Sequence, residues 1–253
     1  MDTNLRPKVS IQMCTYNRAH YIEQAIQSVI AQTFTNWELL ILDDTSTDNT
    51  EEVIFKYQND QRIKYFKNDT NLGIAKNRNR GLALSQGKYI AVLDSDDYWI
   101  DKTKLEKQVE FLDKNTEYGL VGTNIEIVDE NSKLLKNINY PNKDSKIKKQ
   151  MLIKNNFCHS SVLFSKENVV GIGLYDESLP LAEDYDLFLR IGLDKKLENL
   201  DIASVAYRKH SGQSYSNKKK VGLEIQNKLI EKYKKNYSNY LLAKFVNFLR
   251  SFR

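Results

Sequence analysis

Short apolar runs alternate with helix-spaced segments through the first hundred residues, and this alternation restricts the fold more than any other feature of the chain. Val9 to Thr15 reads as a buried strand that exits through the polar Thr15-Tyr16-Asn17-Arg18. Ala19 to Ala31 places Ile22, Ala25, Ile26, Val29 and Ile30 on one helical face. Trp37 to Leu42 reads as a second buried strand closed by Asp43-Asp44, Asp48 to Tyr57 as a helix, and Ile63 to Phe66 as a third strand. Ile74 to Ser85 follows as a helix and Lys88 to Leu93 as a fourth strand, closed by Asp94. Buried strands separated by helices pair in parallel and are covered on both faces. The expected fold is therefore α/β, a doubly wound, mainly parallel sheet with flanking helices.

In such a sheet, ligands bind beyond the carboxyl ends of the strands. Polar clusters stand at those ends: Thr15-Tyr16-Asn17, Asp43-Asp44 and Asp94-Ser95-Asp96-Asp97. The topology brings them to one rim, which is stronger evidence for a site than any one cluster. Downstream, Lys102 to Asn115 is helical, Gly119 to Asn124 is strand-like, and a polar stretch runs through Lys149. An apolar segment around Val162 precedes the acidic-aromatic Glu183-Asp184-Tyr185-Asp186 and a helix through Ile191. A strand at Ala203 to Tyr207 leads to His210, and Val221 to Arg253 reads as one or two helices.

The net charge of +5 is unevenly spread. From Tyr207 to the C-terminus twelve Lys and Arg face only Glu224 and Glu231, leaving +10 there and −5 on the other 206 residues. A mildly acidic body with a basic tail argues against a nucleic-acid binder and directs the tail to a local anionic partner. Cys14 and Cys158 lie far apart without metal-ligand spacing, which suits a reducing compartment. Met1 to Lys8 is polar, unlike a signal peptide, and no apolar run approaches the roughly 20 residues of a membrane span. The expected location is the cytoplasm.

Asp94-Ser95-Asp96-Asp97 packs three carboxylates into four residues. Their repulsion is relieved by a divalent cation, and oxygen ligands suit Mg²⁺ or Mn²⁺ with positions left open for substrate phosphates. The plain alternative is a solvated turn followed by an Asp101 helix cap. Asp43-Asp44 is followed by Thr45-Ser46-Thr47-Asp48, of which Ser46, Thr47 or Asp48 can cap the next helix. Capping leaves the two preceding aspartates unexplained, and a rim carboxylate can accept from a base N–H or a ribose hydroxyl. Cys14 reads as apolar filler, since no basic group beside it would activate a thiolate.

These segments resemble family 2 glycosyltransferases. The likeness is carried by Val9-Ser10-Ile11-Gln12-Met13-Cys14-Thr15-Tyr16-Asn17, by Gln32-Thr33-Phe34-Thr35-Asn36-Trp37-Glu38-Leu39 and by Asp43-Asp44-Thr45-Ser46-Thr47-Asp48-Asn49-Thr50. Asn71-Leu72-Gly73, Asn77-Arg78-Asn79-Arg80-Gly81, Gly87-Lys88-Tyr89-Ile90 and Leu93-Asp94-Ser95-Asp96-Asp97 continue it in order. The likeness spans residues 8 to 212 and is most specific in the first hundred. Thr45 stands where the family usually has Gly, a change that is tolerated if the turn does not need a positive φ.

The resemblance implies a GT-A fold and an inverting transfer of a sugar from a nucleotide-diphosphate donor, with UDP as the expected nucleotide. It divides the chain into a glycosyltransferase domain at 1–212, with a nucleotide-binding half at 1–100 and an acceptor-binding half at 101–212, and a basic amphipathic tail at 213–253. It implies that Cys14, Thr15 and Tyr16 line the base pocket, that Asp44 binds the base, and that Arg78 and Ser95 lie near the donor. Asp94 would approach the ribose, and Asp96 or Asp97 would hold Mn²⁺ or Mg²⁺ on the diphosphate. Asp184, second of the Glu183-Asp184 pair, would be the general base, and His210 would reach the metal or diphosphate. The plain reading of Asp184 is a cap for the helix bearing Leu187, Phe188 and Ile191. Glycan or lipid-linked molecules of bacterial surface polysaccharide assembly are the expected acceptors.

A sugar nucleotidyltransferase would carry a Gly-rich phosphate loop where this chain has Thr15-Tyr16-Asn17-Arg18. A non-catalytic nucleotide-sugar-binding module would have no use for Asp96, Asp97 and Asp184 together. A processive membrane synthase would carry spans and a Gln-x-x-Arg-Trp sequence, both lacking here. In the tail, Leu241, Phe245, Phe248, Leu249 and Phe252 fall at helical spacing among Lys244, Arg250 and Arg253. Such a helix suits an anionic bilayer surface, helped by Lys218-Lys219-Lys220 and Lys234-Lys235, or else packs on the catalytic domain or a second subunit.

Overall fold

The computed structural model describes residues 6–212 and 219–252. Residues 1–5, Lys218, the Lys219 side chain and Arg253 lie outside the described set. The first half follows the expected alternation: β1 (Val9–Thr15), α1 (Ile22–Ile30), β2 (Trp37–Asp43), α2 (Thr50–Phe55), β3 (Ile63–Lys67), α3 (Ile74–Leu84) and β4 (Tyr89–Val92). The second half continues with β5 (Tyr98–Trp99), α4 (Lys104–Lys114), β6 (Tyr118–Val128), β7 (Leu134–Ile138), α5 (Asp144–Gln150), β8 (Leu163–Ser165) and α6 (Lys166–Ile172). It ends with α7 (Glu183–Asp194), β9 (Lys196–Arg208), α8 (Lys219–Tyr233) and α9 (Tyr240–Arg250).

The sheet runs β3-β2-β1-β4-β8-β6-β9-β5, with β7 flanking β6. β3, β2, β1 and β4 are parallel, as their buried apolar runs require. β8 then joins antiparallel to both β4 and β6, while β9 runs parallel to β6. Thr15 pairs with Asp43 and Gln12 with Val92, so the segments leaving β1, β2 and β4 emerge at one edge. That register assembles the rim expected from the sequence.

Each face of the sheet buries its own core. One contains Ile22, Ile26 and Val29 of α1 with Leu105 and Val109 of α4. The other joins Ile90 and Val92 of β4 to Leu187 and Phe188 of α7, and extends to Ile225, Leu229, Ile230 and Tyr233 of α8. The basic tail is thus two unlike pieces. α8 is part of a core, whereas α9 buries Ala243 and Asn247 and leaves Leu241, Phe245 and Phe248 exposed, as is Phe252 just after it.

Candidate active site

The carboxyl ends of β1, β2 and β4 open onto a cavity of about 530 Å³. Cys14, Thr15, Tyr16, Asp44, Arg78, Asp94, Ser95 and Asp96 all line it. Burial pushes the Cys14 thiol up to about 12, which removes it as a nucleophile. Thr15 Oγ1 is buried without a partner.

Asp44 is held by the loop that enters α3. Its Oδ1 accepts from Asn68 Nδ2 at 2.7 Å and Leu72 N at 2.8 Å, and its Oδ2 from Gly73 N at 3.0 Å. These bonds use most of its acceptor capacity and fix its orientation at the cavity wall. Asp43, by contrast, is fully buried and accepts from Ser46 N and Tyr65 Oη, so it serves the turn. Asp48 accepts from the N–H of Thr50 two residues on, in a turn ahead of α2; Asn49 holds the cap position and no side chain caps the helix, so the capping expected of Ser46, Thr47 or Asp48 is not made. Thr45 corrects an expectation. Its φ is 72°, so the turn does need the left-handed conformation that glycine adopts freely, and a β-branched residue holds it under strain.

The acidic cluster separates into unlike carboxylates. Asp94 accepts from Arg78 Nη2 at 3.0 Å, and Arg78 also grips Glu183. Burial raises the Asp94 carboxyl, but Arg78 and then His159 outweigh it and hold the group below the usual range. Burial pushes Glu183 the other way, against the pull of Arg78. Asp96 Oδ2 meets Arg18 Nε at 3.2 Å and His210 Nε2 at 3.0 Å. Asp97 is only 1% exposed, and its oxygens accept from Ser160 Oγ at 2.5 Å and Arg208 N at 2.9 Å. Burial, with Asp96 and Asp94 nearby, pushes its carboxyl well above the usual range. Both oxygens of Asp97 already serve the fold, so this geometry favours Asp96 over Asp97 as a cation ligand.

Among the described residues no three His, Cys, Asp or Glu form a ready metal cluster. Asp96 with His210 still fits Mg²⁺ or Mn²⁺, because these ions take one or two protein ligands and fill the remaining positions with water and phosphate. His210 Nδ1 accepts from Gly212 N at 3.2 Å, so Nε2 carries the proton and donates to Asp96. In that tautomer His210 suits a diphosphate oxygen; coordination requires the proton to move to Nδ1.

A second cavity, of about 480 Å³, adjoins the first. Its walls include Ile125, Ile127, Ile138, Tyr140, Phe157 and Asp184. Arg78, Asp94, Leu181, Glu183 and Tyr207 line both spaces. Asp184 is the second residue of α7; Ala182 occupies the cap position and no side chain caps the helix. The plain capping reading of Asp184 therefore fails. Its Oδ2 accepts from Asn155 Nδ2 at 3.2 Å.

Residues 10–169 match the family described as Glycosyl transferase family 2. An uncharacterised glycosyltransferase of Methanocaldococcus jannaschii is 33% identical over 215 residues, covering 83% of this chain and 73% of that one. The chain belongs to family 2 of the glycosyltransferases. Its activity is transfer of a sugar from a nucleotide-sugar donor to an acceptor hydroxyl. The glycosyltransferase is also 36% identical over 206 residues to the Escherichia coli protein WfgD, named UDP-Glc:alpha-D-GlcNAc-diphosphoundecaprenol beta-1,3-glucosyltransferase, covering 81% and 78% of the two chains. Among solved structures, S. aureus TarS 1–349 in complex with UDP-GlcNAc superposes with a TM-score of 0.71 at 22% identity, over 95% of this chain and 70% of that one. Mannosyltransferase PcManGT from Pyrobaculum calidifontis, in complex with GDP-Man and Mn²⁺, gives 0.70 at 15% identity over the same shares. Both likenesses confirm the GT-A fold.

Sequence reasoning gave no role to Arg18, Asn155 or His159. Arg18 was visible at the end of β1, but nothing local shows that it turns onto Asp96. His159 lines the second cavity, pairs through Nε2 with Tyr175 Oη at 2.9 Å, and keeps Nδ1 3.8 Å from Asp94 Oδ1. It follows a segment without regular periodicity, so sequence offered no signal for it.

Proposed function

We propose that the larger cavity binds a UDP-sugar and that the acceptor hydroxyl enters through the second cavity to meet Asp184. The observation that carries this reading is the shared wall of Arg78, Asp94, Leu181, Glu183 and Tyr207, which leaves the transferred sugar room between Asp96 and Asp184. Cys14, Thr15 and Tyr16 would face the base, Asp44 would accept from it, and Asp94 would meet the ribose, with Ser95 beside it. Asp96 and His210 would hold Mn²⁺ or Mg²⁺, which when bound stabilises the charge on the leaving diphosphate.

Asp184 accepts the hydroxyl proton as the acceptor oxygen attacks the anomeric carbon. The bond from that carbon to the diphosphate breaks on the opposite face, so the configuration inverts and the nucleoside diphosphate departs. Glu183, paired with Arg78, keeps the guanidinium in place beside the reacting sugar. WfgD is named for a GlcNAc-diphosphoundecaprenol acceptor, and the apolar walls of the second cavity suit an acceptor of that kind. Within the 213–253 tail the docking element would then be α9, since α8 belongs to the core.

The docking partner in this reading is an anionic bilayer on the cytoplasmic face. Among the described residues no helix is long and apolar enough to cross a membrane. α9 instead exposes Leu241, Phe245, Phe248 and Leu249, with Phe252 just beyond it, and Lys220, Lys228, Lys234, Lys235 and Lys244 give the tail matching charge.

The deciding experiment is Asp184→Asn. Donor binding, read by thermal shift, should persist while kcat falls roughly 10²–10⁴-fold, the usual worth of a positioned proton acceptor. Normal turnover would place the base elsewhere. For docking, full-length protein and a form ending at Ser238 are compared by co-sedimentation with anionic vesicles. Equal, negligible binding by both forms would rule the bilayer out.

A further inference from the structure

The chain from Met151 to Asn156 has no helix or strand of its own, yet it carries Asn155, whose amide donates to Asp184 Oδ2 at 3.2 Å. Backbone carbonyls outside regular structure need donors from elsewhere when they are buried. Asn156 and Asn199 supply two of those donors, to Lys154 O and Asn156 O, and the C-terminal helices supply two more. Gln226 Nε2 of α8 donates to Leu152 O at 3.0 Å, and Arg250 Nη1 of α9 donates to Ile153 O at 3.0 Å. Tyr185, the residue after Asp184, donates through its hydroxyl to Met151 O, and Gln226 Nε2 also lies 3.4 Å from that hydroxyl. Asn239 Nδ2, between the two helices, donates to Lys149 O at 2.8 Å.

α8 and the link that follows it also grip α7 directly. Asp186, two residues beyond Asp184, is fully buried. Its Oδ1 accepts from Tyr233 Oη at 2.7 Å and Lys232 Nζ at 2.8 Å, and its Oδ2 from Arg190 Nε at 2.7 Å. Tyr237 Oη donates to Leu189 O at 2.6 Å, further along α7. The α8–α9 hairpin therefore fixes both the helix that bears Asp184 and the segment that donates to it. All of these contacts lie beyond residue 169, where the family match ends, apart from the carbonyls they reach.

We propose that Arg250, Gln226 and Tyr233 are positioning residues for Asp184, acting through the Met151–Asn156 segment and through Asp186. The inference rests on Asp184 being the base, and it assigns the tail a task in catalysis besides docking. On α9, Arg250 reaches Ile153 O, two residues before the Asn155 that lines the second cavity. An occupant of the exposed face of α9 would bear on Asp184 through this bond.

The test uses the full chain and a readout that does not need turnover. The Asp184 carboxyl ¹³C resonance is assigned by its loss in Asp184→Asn. It is then followed in Arg250→Met, which keeps the stem but removes the donor, and in Arg250→Lys, which restores a donor. The expected result is a shifted resonance in Arg250→Met that returns toward its original position in Arg250→Lys. Transfer from UDP-glucose or UDP-GlcNAc should fall on the order of 10–100-fold in kcat, as displacements far from the chemistry can produce, with donor KM unchanged. In an Asp184→Asn background, Arg250→Met should cause no further loss, because the group it positions is gone. Tyr233→Phe should behave in the same way through Asp186. An unmoved resonance overturns the inference whatever the kinetics show, and so does a loss that multiplies with Asp184→Asn. A moved resonance with unchanged kcat supports the positioning and refutes Asp184 as the base.

Discussion

Around Asp96 the cavity wall is dense with charge, and each charge is answered. Arg18 and His210 hold Asp96, Arg78 spans Asp94 and Glu183, and backbone and amide N–H groups hold Asp44. Around Asp184 the wall is mostly apolar, and the Asn155 amide holds the carboxylate among Ile125, Ile127, Ile138, Tyr140 and Phe157. The contrast shows two ways of preparing a site. On the donor side, a charged ligand enters by exchanging partners, since a bare carboxylate or guanidinium left buried would be costly. Around Asp184 the charges of Arg78, Asp94 and Glu183 are shared with the larger cavity, and in the proposed reading the direction of the Asp184 carboxylate is what has to be prepared.

The largest effects are expected at the neighbouring aspartates Asp96 and Asp97. Asp96→Ala should abolish Mn²⁺ binding in calorimetry and turnover with it, while the melting temperature stays near that of the wild type. Asp97→Ala should instead unfold at lower denaturant, because Ser160 Oγ and the Arg208 N–H lose a buried acceptor, at roughly 1–3 kcal/mol for each unsatisfied group. Metal binding lost equally in both, or full activity in EDTA, would show that the division between ligand and buttress is wrong.

Asp44→Ala sharpens the donor side further. Base contacts are made equally in the ground and transition states, so donor KM should rise with little change in kcat at saturation. A collapsed kcat at unchanged KM, from steady-state kinetics with the donor varied, would move Asp44 from recognition to chemistry.

The smallest effect is expected at Thr45. Relief of the left-handed strain is worth about 1–3 kcal/mol. The freedom glycine adds to the unfolded chain takes back about 0.5–1 kcal/mol. Thr45→Gly should thus leave urea stability equal or slightly higher, with Asp44 still seated and donor KM unchanged. A clear fall in stability would mean that the Thr45 hydroxyl, which donates to Asp44 O, matters more than its backbone.

The parallel half of the sheet was legible because β1 and β2 are buried on both faces and read as unbroken apolar runs. The second half was less so. β5 and β8 are too short to show a period, β7 is largely exposed, and α5 buries only Ile147. The residues of the larger cavity share the same legibility, since Thr15, Asp44 and Asp94 sit where strands end. Asn155 and His159 do not, because each acts across a distance of the chain that no local pattern encodes.

By itself, the sequence determined the strand–helix alternation, the common rim of its polar clusters and the family. All three follow from local periodicity and from residues contiguous in the chain. Tertiary structure decided how the carboxylates of one short cluster divide their work. Asp94 turned to Arg78, Asp96 to Arg18 and His210, and Asp97 inward to Ser160 and Arg208. It also split the basic tail into a core helix and an exposed one, and tied both to the carbonyls of Leu152 and Ile153. Neighbouring aspartates are chemically alike in sequence; their roles separate when packing gives each its own burial and its own partners, and those partners come from more than a hundred residues away in two of these bonds, His210 to Asp96 and Arg208 to Asp97.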